Sequence, residues 1–298
     1  MKKVLVTGSN GFVGFYIVKH LLQKGFPVIA TGKGEKRFSQ HDCDCIYETL
    51  DFTNRENVSR LFQKHRPHLV VHSGAMSKPD DCELNRENAF LTNVTGTMNL
   101  LAEAAEIKAS FLFLSTDFVF RGDKGMYAEE DERQPVNFYG ETKMLAEDQV
   151  MQYRYNWAIV RTVLVYGKPP VGGRGNLVTN TAAALQKGEQ LKIFNDQLRT
   201  PTYVEDLAAA ITALAEQDRT GIFHVSGEDK RTPFEMAMET AQFLGLDSSL
   251  VSAVTEADFQ QPARRPLKTG FNISKVKQEL GFQPISFSEG LKKTFESG

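Results

Sequence analysis

The stretch Val4-Leu5-Val6-Thr7-Gly8-Ser9-Asn10-Gly11-Phe12-Val13-Gly14 decides how this chain is read. Uncharged, largely β-branched residues open it, which is the composition of a buried strand. Glycines three apart then permit a tight turn, close backbone approach to a ligand and close helix–strand packing. Val13, Ile17 and Leu21 recur at helical spacing, so a helix begins directly after the turn. Its first N–H groups lack intrahelical partners and carry the positive end of the helix dipole, which suits a phosphate. Gly8, Asn10, Gly11, Phe12, Val13 and Gly14 are therefore candidate holders of a dinucleotide pyrophosphate. A plain strand–helix turn competes, but it does not require the glycine spacing.

Working outward, residues 27–30, 68–72 and 111–115 repeat the apolar-run texture, 46–50 does so more weakly, and 157–161 gives a sixth strand. Near-continuous apolar runs are expected of strands covered on both faces. Phe90, Val94, Met98, Leu101 and Ala105 mark a long helix between the fourth and fifth strands. Right-handed crossovers then give an α/β protein with a Rossmann-like doubly wound parallel sheet. Residues 167–175 hold four glycines and two prolines and form a loop. Residues 204–213 and 221–225 return to helix then strand, and 274–280 reads as a helix among turns at Pro262, Pro266 and Pro284. The expected organisation is a dinucleotide-binding core over 1–165, rejoined by 202–226. Residues 166–201 and 227–298 form a smaller C-terminal substrate-binding lobe.

Composition excludes some functions. The chain has 298 residues with 35 Lys+Arg against 37 Asp+Glu, a net charge of −2, which argues against nucleic acid or an anionic membrane as partner. Apolar residues at 41 % and charged residues at 24 % fit an ordinary globular protein. Cys43, Cys45 and Cys82 are too few for a disulfide framework and suit a reducing compartment. No leader-like or membrane-length apolar segment is legible, so a cytoplasmic location is expected. His41-Asp42-Cys43-Asp44-Cys45 looks like a metal tract, but a one-residue gap between thiols chelates poorly, and no metal is expected.

The second strand is followed by Lys33, Lys36 and Arg37, with Glu35 among them. Lys33 and Arg37 are candidates for a ribose 2′-phosphate, which favours NADP(H) over the alternative NAD(H). Asp51 and Phe52, after the third strand, are placed to hold an adenine amino group and ring face, or Asp51 starts a turn. Gly74, Ala75 and Met76 follow the fourth strand at an edge where a cofactor backbone could lie, or where a turn packs closely.

The fifth strand runs into Ser115-Thr116-Asp117, and Asn137 can cap a helix from Phe138 that carries Tyr139 and Lys143 one turn apart. A phenol that gives a proton to a carbonyl oxygen needs help near neutral pH, because free tyrosine titrates at about pH 10. A nearby ammonium lowers that value, and the Thr116 hydroxyl positions the oxygen. A surface helix with one half-buried tyrosine is the alternative for the pair taken alone.

Taken together, Thr7-Gly-x-x-Gly-x-x-Gly14, Thr116 and Tyr139-x-x-x-Lys143 resemble the extended short-chain dehydrogenase/reductase superfamily. Within it the chain looks most like the dTDP-4-dehydrorhamnose reductase group of sugar-nucleotide enzymes. Residues 114–120, 137–143, 161–167, 195–197, 201–202 and 263–266 carry that likeness, which covers nearly the whole chain.

The resemblance implies an NADP(H)-dependent reductase of a 4-keto nucleotide sugar with Thr116, Tyr139 and Lys143 catalytic and Tyr139 the proton donor. It places Thr116 and Asp117 at the substrate, and Asn93 at a position where the family carries asparagine. Arg174, Asn176 and Arg265 become candidates for the nucleotide diphosphate, with surface ion pairs the alternative for the arginines. Phe118 stands where the group carries tyrosine, and Leu164 where tryptophan is usual. Those departures keep open an NAD-dependent nucleotide-sugar epimerase or dehydratase. They also keep open a non-catalytic NADP-binding regulatory subunit resembling that of methionine adenosyltransferase. The expected partner is a nucleotide-sugar substrate, with a symmetric homodimer the commonest assembly. Asp80, Asp81, Glu83 and the acidic stretch 129–132 read as solvated surface.

Overall fold

The computed structural model describes residues 2–39, 43–258 and 261–296. In chain order the elements begin β1 (Val4–Thr7), α1 (Phe12–Gln23), β2 (Val28–Gly32), β3 (Ile46–Thr49), α2 (Arg55–His65) and β4 (Leu69–His72). Next come α3 (Pro79–Leu84), α4 (Arg86–Phe90), α5 (Gly96–Glu106), β5 (Ser110–Thr116), α6 (Phe138–Met151), β6 (Trp157–Thr162) and β7 (Val165–Tyr166). The remainder is α7 (Leu177–Gln186), β8 (Leu191–Phe194), β9 (Thr202–Tyr203), α8 (Val204–Glu216), β10 (Gly221–Val225), α9 (Pro233–Leu244), β11 (Val251–Val254), α10 (Ser274–Leu280) and α11 (Phe287–Glu296).

Seven strands form one parallel sheet in the order β10-β6-β5-β4-β1-β2-β3. The chain winds outward from β1 in both directions, so the crevice between the ends of β1 and β4 is the point where connections diverge. Side chains alternate across the sheet. Val4, Val6, Val28 and Ala30 pack toward α1 and α8, whereas Leu5, Ile29, Phe111 and Phe113 pack toward α2, α5 and α6. All six strands expected from the first half of the sequence are present.

The expected long helix is divided. Leu91–Thr95 forms a π turn between α4 and α5. The extra residue rotates the apolar stripe, so Val94 and Leu101 are buried while Phe90 and Met98 stand exposed. Beyond the main sheet, β7 pairs with β9 and β8 with β11. Leu185, Ala237, Ala241 and Val251 pack as a satellite core around α7, α9 and β11. Helices α7, α9 and α11 were not legible as elements, although Thr232-Pro233-Phe234-Glu235 is a capping box with proline at the first helical position.

His41 and Asp42 of the cysteine tract lie outside the described residues. Among the described residues no group of three His, Cys, Asp or Glu side chains could hold a metal, and no helix is long and apolar enough to cross a membrane.

Candidate active site

The site starts at the glycine turn. Gly8 adopts φ +75°, and a Cβ there would lie 2.7 Å from Gly74 Cα. A Cβ on Gly14 would lie 2.2 Å from Gly8 O, so the helix can approach the turn only as glycine. Helix α1 has no side-chain cap on Gly11 and no acid in its first turn. By contrast, α2, α6, α7 and α9 are capped by Asn54, Asn137, Asn176 and Thr232. The N–H groups of the α1 first turn are thus left for an anion, and Phe12 and Val13 border them.

Buried side chains hold the facing loop. Asn93 Oδ1 accepts from Met76 N at 2.8 Å, while its amide donates to Met76 O at 3.0 Å and Thr142 Oγ1 at 2.9 Å. Asn93 is therefore a fully satisfied amide that ties the 74–76 loop to α6. His72 bonds Thr7 Oγ1 through Nδ1 at 2.6 Å and Thr97 Oγ1 through Nε2 at 3.1 Å. Thr97 spends its own proton on Asn93 O, so Nε2–H donates and Nδ1 accepts from Thr7. Burial, with Lys143 nearby, holds His72 well below its ordinary value and keeps it neutral.

The adenine corner differs in part from expectation. Asp51 Oδ1 accepts from the Thr53 N–H and hydroxyl, and Asp51 Oδ2 pairs with Lys33 Nζ at 3.1 Å. Asp51 is thus a turn former that also binds Lys33. Phe52 is buried against Gly74, Gly96 and the edge of the His72 ring, so it belongs to the core and presents no open face.

Tyr139 and Lys143 lie one turn apart on α6, which packs against the end of β5 that carries Thr116. The Asn137 side chain caps α6 through Gly140 N at 2.9 Å, and Glu83 Oε2 accepts from Phe138 N at 3.1 Å. The Tyr139 phenol lies close enough to Thr116, Asp117 and Cys82 for each to bear on its acidity. Lys143 Nζ donates to Leu114 O at 2.8 Å and stands 3.9 Å from the Phe113 ring centroid. The acidity runs opposite to expectation. Burial pushes the phenol above its ordinary value, and Asp117 and Cys82 add to the rise while Thr116 opposes it. Burial also holds the Lys143 amine down to about 7, so its charge is weakened as a phenol activator.

Asp117 faces inward. Its oxygens accept from the Thr116 and Thr269 hydroxyls, and Arg199 Nε lies 3.8 Å from Oδ2. Both carboxylate oxygens are committed within the protein, which runs against the expected substrate contact. Arg199, also buried, donates to the carbonyls of Leu198, Pro266 and Leu267. Arg265 bonds Asp80 through both terminal nitrogens, and Ala263 N donates to Asp80 Oδ1 at 3.0 Å. Asn137 Nδ2 reaches Arg264 O at 2.7 Å. Residues 263–269 thus form a strap stitched to α3, to the cap of α6 and to Asp117.

Asn176, expected at substrate, caps α7 and donates to Gly167 O at 2.7 Å. Arg174 is exposed on the 167–175 loop, away from these bonds. The acids read as solvated are partly structural. Asp80 and Glu83 make the contacts above, and buried Glu129 accepts from His224 N at 2.9 Å.

Sequence reasoning missed three groups. Glu147, one turn beyond Lys143, is fully buried and bonds Arg161 through Nε at 3.0 Å and Nη2 at 2.8 Å, with Arg133 at 3.2 Å. Its spacing from Tyr139 and Lys143 was the available signal. Arg199 carried no pattern of its own. Cys82 lies close enough to weigh on Tyr139 and Lys143, and burial pushes its thiol up to about 11.

The residues present fit a dinucleotide. The turn leaves uncapped N–H groups, Gly8 and Gly74 let the turn and the facing loop meet backbone to backbone, and buried Ser115 Oγ at the end of β5 finds no hydrogen-bond partner among the described residues.

Comparison with known proteins agrees with this geometry. A probable low-salt glycan biosynthesis reductase, Agl14 of Haloferax volcanii, is 31 % identical over 96 % of this chain and 95 % of its own length. Methionine adenosyltransferase 2 subunit beta of Mus musculus is 29 % identical over 98 % of this chain and 87 % of its own. The solved dTDP-4-dehydrorhamnose reductase of Bacillus anthracis, in complex with NADP, is 28 % identical with a TM-score of 0.85, covering 100 % of this chain and 99 % of that one. The match to the family described as RmlD substrate binding domain runs over residues 1–298, and the chain belongs to that family, within the extended short-chain dehydrogenase/reductase superfamily.

Proposed function

We propose that the protein is an NADP(H)-dependent reductase of a 4-keto nucleotide sugar. The observation that carries this reading is the placing of Tyr139 beside Thr116 and Asp117 at the end of β5, with Lys143 one turn further along the same helix. Bound reduced cofactor supplies the hydride that attacks the keto carbon. The uncapped N–H groups of the α1 N-terminus would hold its pyrophosphate. Tyr139 gives its proton to the carbonyl oxygen, and burial, by making the phenol a weaker acid, keeps that proton in place until charge develops. Thr116 flanks the phenol from the end of β5, and Lys143, one turn along α6, is anchored to Leu114 O of the same strand.

Similarity to Agl14 and to the NADP-bound B. anthracis enzyme supports reduction of a nucleotide sugar. The likeness to methionine adenosyltransferase subunit beta, with apolar Phe118 edge-on to Tyr139 at 5.8 Å, favours a regulatory subunit as the second reading. The intact Thr116, Tyr139 and Lys143 weigh for the reductase.

The test is Tyr139→Phe assayed with a panel of 4-keto nucleotide sugars. Turnover should fall by roughly 10²-fold or more, with cofactor affinity unchanged. Full activity in the variant rejects the role of Tyr139. Absence of NADPH oxidation by the parent, together with capture of a stable hetero-partner, turns the assignment to the regulatory reading.

A further inference from the structure

At the end of the sheet opposite the glycine turn, the amino ends of β1, β4 and β5 border a cavity of about 530 Å³. Every titratable side chain on its wall is basic: Lys3, Lys64, His65, Arg66, His68 and Lys108. Among the described residues, the carboxylate bonded to any of them is that of Glu48, which accepts from Lys64 Nζ at 2.6 Å and meets His65 Nε2 at 2.9 Å. The exposed side chains of Arg66 and Lys108 make no hydrogen bond or ion pair among the described residues.

Helix ends do not account for this arrangement. Cations gather near the carbonyl ends of helices, and α2 and α5 both finish here. Those ends are already closed. Arg66 N donates to Phe62 O at 2.9 Å, Lys108 N to Ala105 O at 3.2 Å, and Lys3 Nζ to His65 O at 2.8 Å. Arg66 and Lys108 also stand at φ 43° and 59°, in the left-handed region where glycine ends a helix without strain. Long basic side chains are thus kept at two positions whose backbone favours glycine. His68 adds a donor, because its Nδ1 accepts from Lys3 N at 3.1 Å and the ring proton therefore sits on Nε2.

We propose that this cavity is a second ligand site, separate from the dinucleotide crevice, and that it takes an oligophosphate. Guanidinium and ammonium groups make strong, charge-assisted hydrogen bonds to phosphate oxygens. Strands β1 and β5 flank β4, so Lys3 and Lys108 reach the cavity from strands about 10 Å apart. A lone phosphate meets one bank, whereas a short chain of linked phosphates spans both. The net charge of −2 on the whole chain disfavours a longer polyanion such as RNA. Nothing in this depends on the reductase reading.

Calorimetric titration with inorganic tripolyphosphate at low ionic strength tests it. The parent should bind with an affinity that falls as salt is added. Arg66→Gln and Lys108→Gln should each weaken binding by roughly 3- to 10-fold. Lys292→Gln, the same loss of charge on α11, should change it by less than about twofold. Arg66→Gly should weaken binding yet raise the thermal midpoint by about 1–3 °C, because the left-handed turn relaxes. ATP bound as tightly as tripolyphosphate upholds the site with phosphate as the recognised part. ATP bound more tightly, with the same response to Arg66→Gln, upholds it with a nucleotide as the source. Absence of tripolyphosphate binding by the parent, its displacement by NADPH, an affinity unmoved in Arg66→Gln and Lys108→Gln, or equal weakening in Lys292→Gln overturns the proposal.

Discussion

Thr116 Oγ1 donates to Asp117 Oδ1 across 3.1 Å, and that bond fixes how the hydroxyl can serve Tyr139. A threonine has one proton to give. With it committed to Asp117, the oxygen accepts from Phe118 N at 3.2 Å and has no proton left to offer the phenol in this arrangement.

Asp117→Asn should therefore move the pH profile of reduction. The Asp117 charge disfavours phenolate and raises the Tyr139 value. Removing it lets the phenol lose its proton at lower pH, so the alkaline limb should shift down. Turnover measured across pH in parent and variant checks this. A uniform loss with an unmoved limb would mean that the carboxylate only supports the fold.

Lys143→Met should stabilise the protein while abolishing activity. The amine sits at about 7 in the fold against an ordinary 10.5, so the unfolded chain binds the proton more tightly. The penalty on folding is absent above the unfolded value, grows as pH falls toward the folded value, and is constant below it. The variant should gain ~1–4 kcal/mol at about pH 6, with little gain at about pH 10. Urea midpoints at the two pH values measure it.

Glu147→Gln should cost about 3–5 kcal/mol, because it leaves Arg161 buried without its charge partner. Chemical denaturation gives the figure. A cost under about 1 kcal/mol would mean that neighbouring groups satisfy Arg161 without Glu147.

Gly14→Ala should destabilise by about 1–3 kcal/mol and weaken dinucleotide binding, because the new methyl meets Gly8 O. Calorimetry with and without NADPH separates the two effects.

The central sheet was legible because strands buried on both faces need apolar runs, and the glycine turn names its neighbour. Tyr139, Lys143 and Thr116 were legible because their chemistry demands fixed types at fixed spacing. The phenol's acidity was not, because it depends on how deeply both partners are buried. The roles of Asp117, Arg265 and Asn176 also escaped, since each is spent on a partner remote in sequence or on a local cap. The break at Leu91–Thr95 was hidden because one inserted residue leaves composition unchanged while turning Phe90 and Met98 outward. Helices α7 and α9 were marked by their capping boxes and α11 by Phe287, Leu291 and Phe295 four residues apart, signals short enough to pass for turn and loop chemistry.

The strap over residues 263–269 has a consequence for biosynthesis. Thr269 and the carbonyls of Pro266 and Leu267 anchor Asp117 and Arg199, while Arg264 and Arg265 secure the cap of α6 and α3. A nascent polypeptide that has emerged only through β10 holds every strand of the main sheet, yet the partners of Asp117, Arg199 and Asp80 in this strap are still inside the ribosome.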